Sequence, residues 1–108
     1  MIDVNISPTP FLSSLTGKIY KLIPLREDQD SGKVVYLEQY VDSLLIELIG
    51  AMETYDVLKN DKQYISVINT VQYMKHNSMK TSVWRRETFK MLRCIDKIQY
   101  ALGGGDSG

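Results

Sequence analysis

Apolar residues recur along residues 34–58 with the spacing of a helix that lies lengthwise on its neighbours. Val34, Leu37, Val41, Leu44, Leu48, Ala51 and Tyr55 are separated by three and four residues in turn, a heptad seam. Leu45, Ile49 and Met52 widen it into the broad apolar face of a helix in a bundle core. The pattern predicts one long helix over 34–58, with the rest of the chain organised around it. A second stripe, Tyr36, Tyr40, Ser43, Glu47, Gly50 and Thr54, is predicted on the opposite side of that helix. Tyrosines separated by small residues cover area while letting another backbone approach, and aromatic side chains are enriched at interfaces. This stripe is the first candidate interaction surface, and a homodimer is its simplest use. Glu38, Asp42, Glu53 and Asp56 form an acidic edge between the two stripes and read as solvated carboxylates.

The flanking segments are shorter. Ile2, Val4 and Ile6 alternate with polar residues ahead of Pro8 and Pro10, so residues 1–10 read as an extended arm. A first helix is predicted with Thr9 as its N-cap and Pro10 in the first turn. Its apolar face is Phe11, Leu12, Leu15, Ile19 and Leu22, weakened by Gly17, and Pro24 is expected to end it. Residues 25–33 are charged and contain Gly32, the make-up of an exposed loop. Asp61 is a candidate cap for the next element. Residues 64–74 present Tyr64, Ile68 and Val71 at helical spacing but are rich in β-branched residues, which favour strand. Length decides for helix. After a link over 76–81, Ser82 is the expected N-cap of a last helix that gathers Trp84, Met91, Ile95, Ile98 and Leu102 on one side. Gly103 stops it and residues 103–108 read as a flexible tail. The expected fold is all-α: a small antiparallel bundle of about four helices over residues 11–102.

Composition bounds the class. With 108 residues, 44% hydrophobic and 24% charged, the chain is expected to be one soluble globular domain. No apolar run is long enough to cross a bilayer, and the first residues lack a basic stretch followed by an apolar one. A lone Cys94 forms no internal disulfide, so the expected setting is cytoplasmic, without membrane contact. The 13 cations and 13 carboxylates balance overall but not by half. Residues 1–58 carry four Lys/Arg and nine Asp/Glu, and residues 59–108 carry nine and four, nets of −5 and +5. Such polarity draws the halves together within a chain or between chains set head to tail.

Chemistry is sparse. One histidine and one cysteine cannot form a zinc site unaided. Gly17-Lys18 lacks the earlier glycine of a phosphate loop, and Glu27, Asp28 and Asp30 are too few for a calcium loop. His76 is expected to complement a helix end, and Cys94 to pack as a small hydrophobe. No catalytic residue, metal site or cofactor is therefore predicted, and the chain is not expected to be an enzyme. One basic constellation stands out: Arg86, Lys90, Arg93 and Lys97, spaced 4, 3, 4, with Arg85 nearby. Aligned cations either stay solvated, meet an acidic protein or track a phosphate backbone. The 76–81 link is long for a helix-turn-helix, and only Gln99 and Asn77 are natural base readers nearby. The expected function is a non-enzymatic helical protein–protein interaction module (adaptor, inhibitor or assembly subunit), homo-oligomeric. The alternative is a nucleic-acid-binding regulator that uses the last helix.

Overall fold

In the computed structural model, which describes residues 7–103, the first two helices are nearly one. Helix α1 (Thr9–Tyr20) and helix α2 (Leu22–Asp30) meet at Lys21, whose φ of −65° and ψ of −17° stay helical. Pro24 causes the break without ending the helix. It has no N–H for the carbonyl of Tyr20, and its ring crowds that carbonyl. Sitting in the first turn of α2, the proline needs no donor there. The expected loop over 25–33 is thus helical as far as Asp30. Arg26 and Asp30, one turn apart, pair at 3.1 Å on it. The start of α1 also differs: Pro8 is the capping residue, and Thr9 donates its N–H to Ser7 Oγ at 3.2 Å. Residues 1–6 of the expected arm and 104–108 of the expected tail lie outside the described residues.

Gly32 closes α2. Its φ is +89°, its N–H donates to Gln29 O, and Lys33 N–H donates to Asp28 O at 3.0 Å, the two bonds of a Schellman motif. An added Cβ at Gly32 or at Gly17 meets nothing within 4 Å, so backbone conformation alone decides the effect of alanine at each. Gly32→Ala is expected to cost about 1–2 kcal/mol, the strain of a left-handed L-residue. Gly17→Ala, inside α1, is expected to stabilise by about 0.5–1 kcal/mol. Urea unfolding of the two variants checks the opposite signs.

The long central helix is shorter than its hydrophobic pattern. Helix α3 spans Leu37–Thr54 and is followed by a single turn, α4 (Asp56–Lys59). Val34 lies before α3 and is 86% exposed, so the seam begins at Leu37. Gly32 turns the chain just upstream, and the β-branched pair Val34-Val35 favours extended backbone after it. At the other end Tyr55 becomes extended (φ −117°, ψ 102°) and stacks on Phe11 of α1, centroids 5.6 Å apart. Leu37, Val41, Leu44, Leu45, Leu48 and Ala51 are buried as the pattern required, whereas Ile49 is exposed.

Helix α5 (Lys62–His76) is capped by Asp61, which accepts from Tyr64 N–H at 3.0 Å. Its helical spacing outweighs its β-branched content because Tyr64, Val67, Ile68, Val71 and Met74 all reach the core. Helix α6 (Thr81–Leu102) starts one residue ahead of Ser82, with Lys80 extended in the capping position and the Thr81 hydroxyl donating to the Asp30 carboxylate. That bond, reinforced by Arg26, holds the Asp30 carboxyl below its usual pKa.

Every element among the described residues is helical, and the organising one is α6 rather than α3. Helix α6 packs against α5, α1 and α2, while α3 packs on α5, α2 and α4. Trp84 of α6 fixes the arrangement. Its indole N–H donates to Leu22 O at 2.9 Å, and the Arg26 guanidinium lies 5.1 Å above its ring. Arg26 also donates to Met79 O at 2.6 Å, tying the α5–α6 link to α2.

Candidate functional site

The tyrosine stripe of α3 is divided between the interior and the surface. At roughly 100° per residue it lies about 110° round the helix from the buried seam, beside it and not opposite. That flank faces α1. Tyr40 Oη–H donates to Lys18 O at 2.7 Å, and Glu47 pairs with Lys18 Nζ at 2.6 Å. Tyr40, Ser43 and Glu47 line a groove of about 690 Å³ with Ser14, Gly17, Lys18, Tyr20, Lys21 and Pro24. Burial, then the Glu47 carboxylate, pushes the Tyr40 phenol above its ordinary pKa. Tyr36, Ser43, Gly50 and Thr54 remain exposed, with Tyr36 at the capping position of α3.

The side of α3 opposite the seam is the acidic edge and the residues beside it. Ile46 there is 72% exposed, Ile49 and Gly50 are exposed next to it, and Val57 of α4 is exposed as well. Among the described residues no other helix covers it. This apolar strip escaped the sequence reading, which counted Ile49 with the core and passed over Ile46. The missed signal was simple: Ile46 stands half a turn from the seam, where a solvated helix carries a polar residue.

The predicted basic stripe forms as expected in direction. Arg86, Lys90, Arg93 and Lys97 are exposed on the outer side of α6. Arg86 and Lys90 approach Glu87 at 3.6 and 3.9 Å. Arg85 turns away from them, pairing with Glu27 at 3.1 Å and lying over the Phe89 ring. Beside the stripe, Lys62, Ile65, Ser66, Asn69, Thr70, Tyr73, Glu87 and Lys90 line a groove of about 580 Å³ between α5 and α6. Asn69 and Tyr73 bring an amide and an exposed aromatic ring to the cations, which the sequence alone did not connect.

His76 is exposed at the end of α5, and Cys94 is half-buried well along α6. Thirteen residues of helix, about 20 Å, separate Cys94 from the start of α6, so the short link from His76 keeps the two apart. Among the described residues, no three His, Cys, Asp or Glu side chains gather as metal ligands, and no helix is long and apolar enough to cross a membrane. Compared with known proteins, the chain matches no family model, and no curated protein or solved structure is detectably similar to it.

Proposed function

We propose that this chain is a non-enzymatic helical interaction module, an adaptor, inhibitor or assembly subunit that self-associates through the outer face of α3 and α4. The observation that carries this reading is Ile46, a large aliphatic side chain 72% exposed in the middle of a regular helix, with Ile49 and Gly50 beside it. A contiguous apolar strip rimmed by carboxylates has the composition of an interface: apolar at its centre and polar at its edge. The exposed part of the tyrosine stripe, Tyr36, Ser43, Gly50 and Thr54, extends the same surface, while Tyr40 and Glu47 hold α1 in place beside it. The fold this reading assumes is a small antiparallel bundle, which presents each helix's polar side outward.

Ile46→Asp tests it. Because the side chain is exposed, the variant is expected to fold normally and to sediment as a 12.4 kDa monomer, where the unaltered chain sediments as a larger species. An unaltered chain that stays monomeric up to about 200 µM, an affinity too weak for a specific interface, overturns the reading.

The groove beside the α6 cations favours a second reading, nucleic-acid binding. Cations following a strand next to a stacking ring and an amide are the elements of single-strand recognition. R86Q/K90Q/R93Q is then expected to abolish oligonucleotide retardation at low salt, and a protein that retards none at about 50 mM salt excludes this reading.

A further inference from the structure

We propose that copies of this chain associate head to tail, the outer row of α3 and α4 on one copy seating on the basic outer row of α6 on the next. The proposal builds on the reading that the α3–α4 face is an interaction surface, and it identifies what that face meets.

Charge is the first argument. Part of the opposition between the acidic and basic halves is satisfied within the chain, where Lys75 pairs with Asp42 at 2.8 Å and Arg85 with Glu27 at 3.1 Å. The remainder is sorted by helix in excess, with Lys59 on α4 and Asp96 on α6 the exceptions, exposed and unpaired among the described residues. Glu38, Glu53 and Asp56 are exposed along α3 and α4 and have no ion-pair partner among the described residues. Arg93 and Lys97 are exposed on α6 and likewise have none. Arg86 and Lys90 share the single carboxylate of Glu87. One outer face is left with excess carboxylate and the other with excess cation.

Length and shape agree. Glu38, Asp42, Ile46, Ile49 and Glu53 fall in one row about 22 Å long, and Arg86, Lys90, Arg93, Lys97 and Tyr100 in one about 21 Å long. Carboxylates at the ends of the first row meet guanidinium and ammonium groups of the second. The isoleucines at its centre are covered by the aliphatic stems of the lysines and arginines and by Tyr100, itself 67% exposed.

Placement completes the argument. Helices α3 and α6 share no substantial packing, and α5 and α2 each pack against both. The two rows therefore lie on separate helices of one molecule, with a third helix packed between them. A second copy brings them together. Complementary surfaces on different parts of the molecule form a heterologous contact, which repeats along an open series. A symmetric α3–α3 contact sets carboxylates against carboxylates, which costs energy. A polyanion meets a chain of zero net charge whose far side is acidic. A second copy of this chain suits both surfaces.

The test is sedimentation velocity of the full chain at about 100 µM, in about 50 mM and about 500 mM salt, where charges are screened over about 14 Å and about 4 Å respectively. The unaltered chain is expected to form a series of species at low salt, with an association constant at least about tenfold lower at high salt. E38Q/E53Q/D56N, which neutralises the α3–α4 row, and K90Q/R93Q/K97Q, which neutralises the α6 row, are each expected to be monomeric. Mixed in equal amounts, they restore one intact pair of surfaces and form a 1:1 dimer that grows no further. Association that is lost in Ile46→Asp but unchanged in K90Q/R93Q/K97Q overturns the head-to-tail contact while leaving the α3–α4 interface standing. A monomeric unaltered chain at both salt concentrations overturns both. Co-purifying nucleic acid, or oligonucleotide binding abolished by K90Q/R93Q/K97Q, assigns the α6 row to a phosphate backbone and overturns the proposal.

Discussion

Trp84→Ala is expected to remove most of the stability of this fold. Truncating a buried aromatic to alanine costs about 3–5 kcal/mol. The lost hydrogen bond to Leu22 O adds about 1 kcal/mol, and the Arg26 guanidinium loses the ring beneath it. Small domains have about 5–15 kcal/mol in total, so a domain of this size at the lower end of that range is brought near its unfolding midpoint. Trp84→Phe keeps a ring and loses only the donor and some area, for an expected cost of about 1–3 kcal/mol. Because Trp84 is the only tryptophan, unfolding is followed by circular dichroism and not by indole fluorescence. A Trp84→Ala midpoint within about 1 kcal/mol of the unaltered chain means that the junction of α2, α6 and their link is held by something else.

Above about pH 10 the chain is expected to lose stability through Tyr64. This phenol is fully buried and donates to Leu48 O, which joins α5 to α3. Burial first, and the Glu47 carboxylate second, raise its pKa far above the ordinary tyrosine value of about 10. The unfolded chain therefore releases that proton at about pH 10 while the folded chain keeps it. Stability is unaffected below that pH and falls by about 1.4 kcal/mol per pH unit for this group above it, until the folded phenol also ionises. Tyr64→Phe is expected to be about 1–2 kcal/mol less stable at pH 7, where it loses the hydrogen bond. Its alkaline decline is shallower, so the two stability curves converge with rising pH. Parallel curves from pH 7 to 11.5 show that Tyr64 titrates normally.

The helices were legible where apolar spacing was long and regular. The seam from Leu37 to Ala51, the Asp61 cap, the helical face of residues 64–74 and the stop at Gly103 all follow from local pattern. The misreadings share one cause, a residue whose meaning depends on its register within an element. Pro24 reads as a stop when it follows a helix and as a first-turn residue when a new helix begins two positions earlier. Gly32 reads as loop composition until a helix ends at Asp30, and then it is the left-handed residue after a C-cap. Val34 continues a heptad on paper, but the turn at Gly32 leaves it outside the helix. Surface character was harder still. The tyrosine stripe reads as opposite the seam but lies beside it, and only the third dimension shows that α1 takes Tyr40 and Glu47 while leaving Ile46 bare. The cations of α6 could be aligned from spacing alone. Their neighbours Asn69 and Tyr73 come from another helix, which no linear pattern joins to them.

The contacts of α6 bear on synthesis as well as on stability. Of the helices described here it leaves the ribosome last, yet α1, the first to emerge, packs directly on it. Until the apolar side of α6, with Met91, Ile95 and Ile98, has been added, the buried side of α1 lacks its main packing partner. The nascent chain therefore carries Leu12, Leu15 and Ile19 incompletely covered until α6 has been made, which makes it a substrate for chaperones that hold apolar segments. A premature stop ahead of Met91 leaves five helices with an incomplete core and is expected to yield aggregate rather than a smaller folded domain.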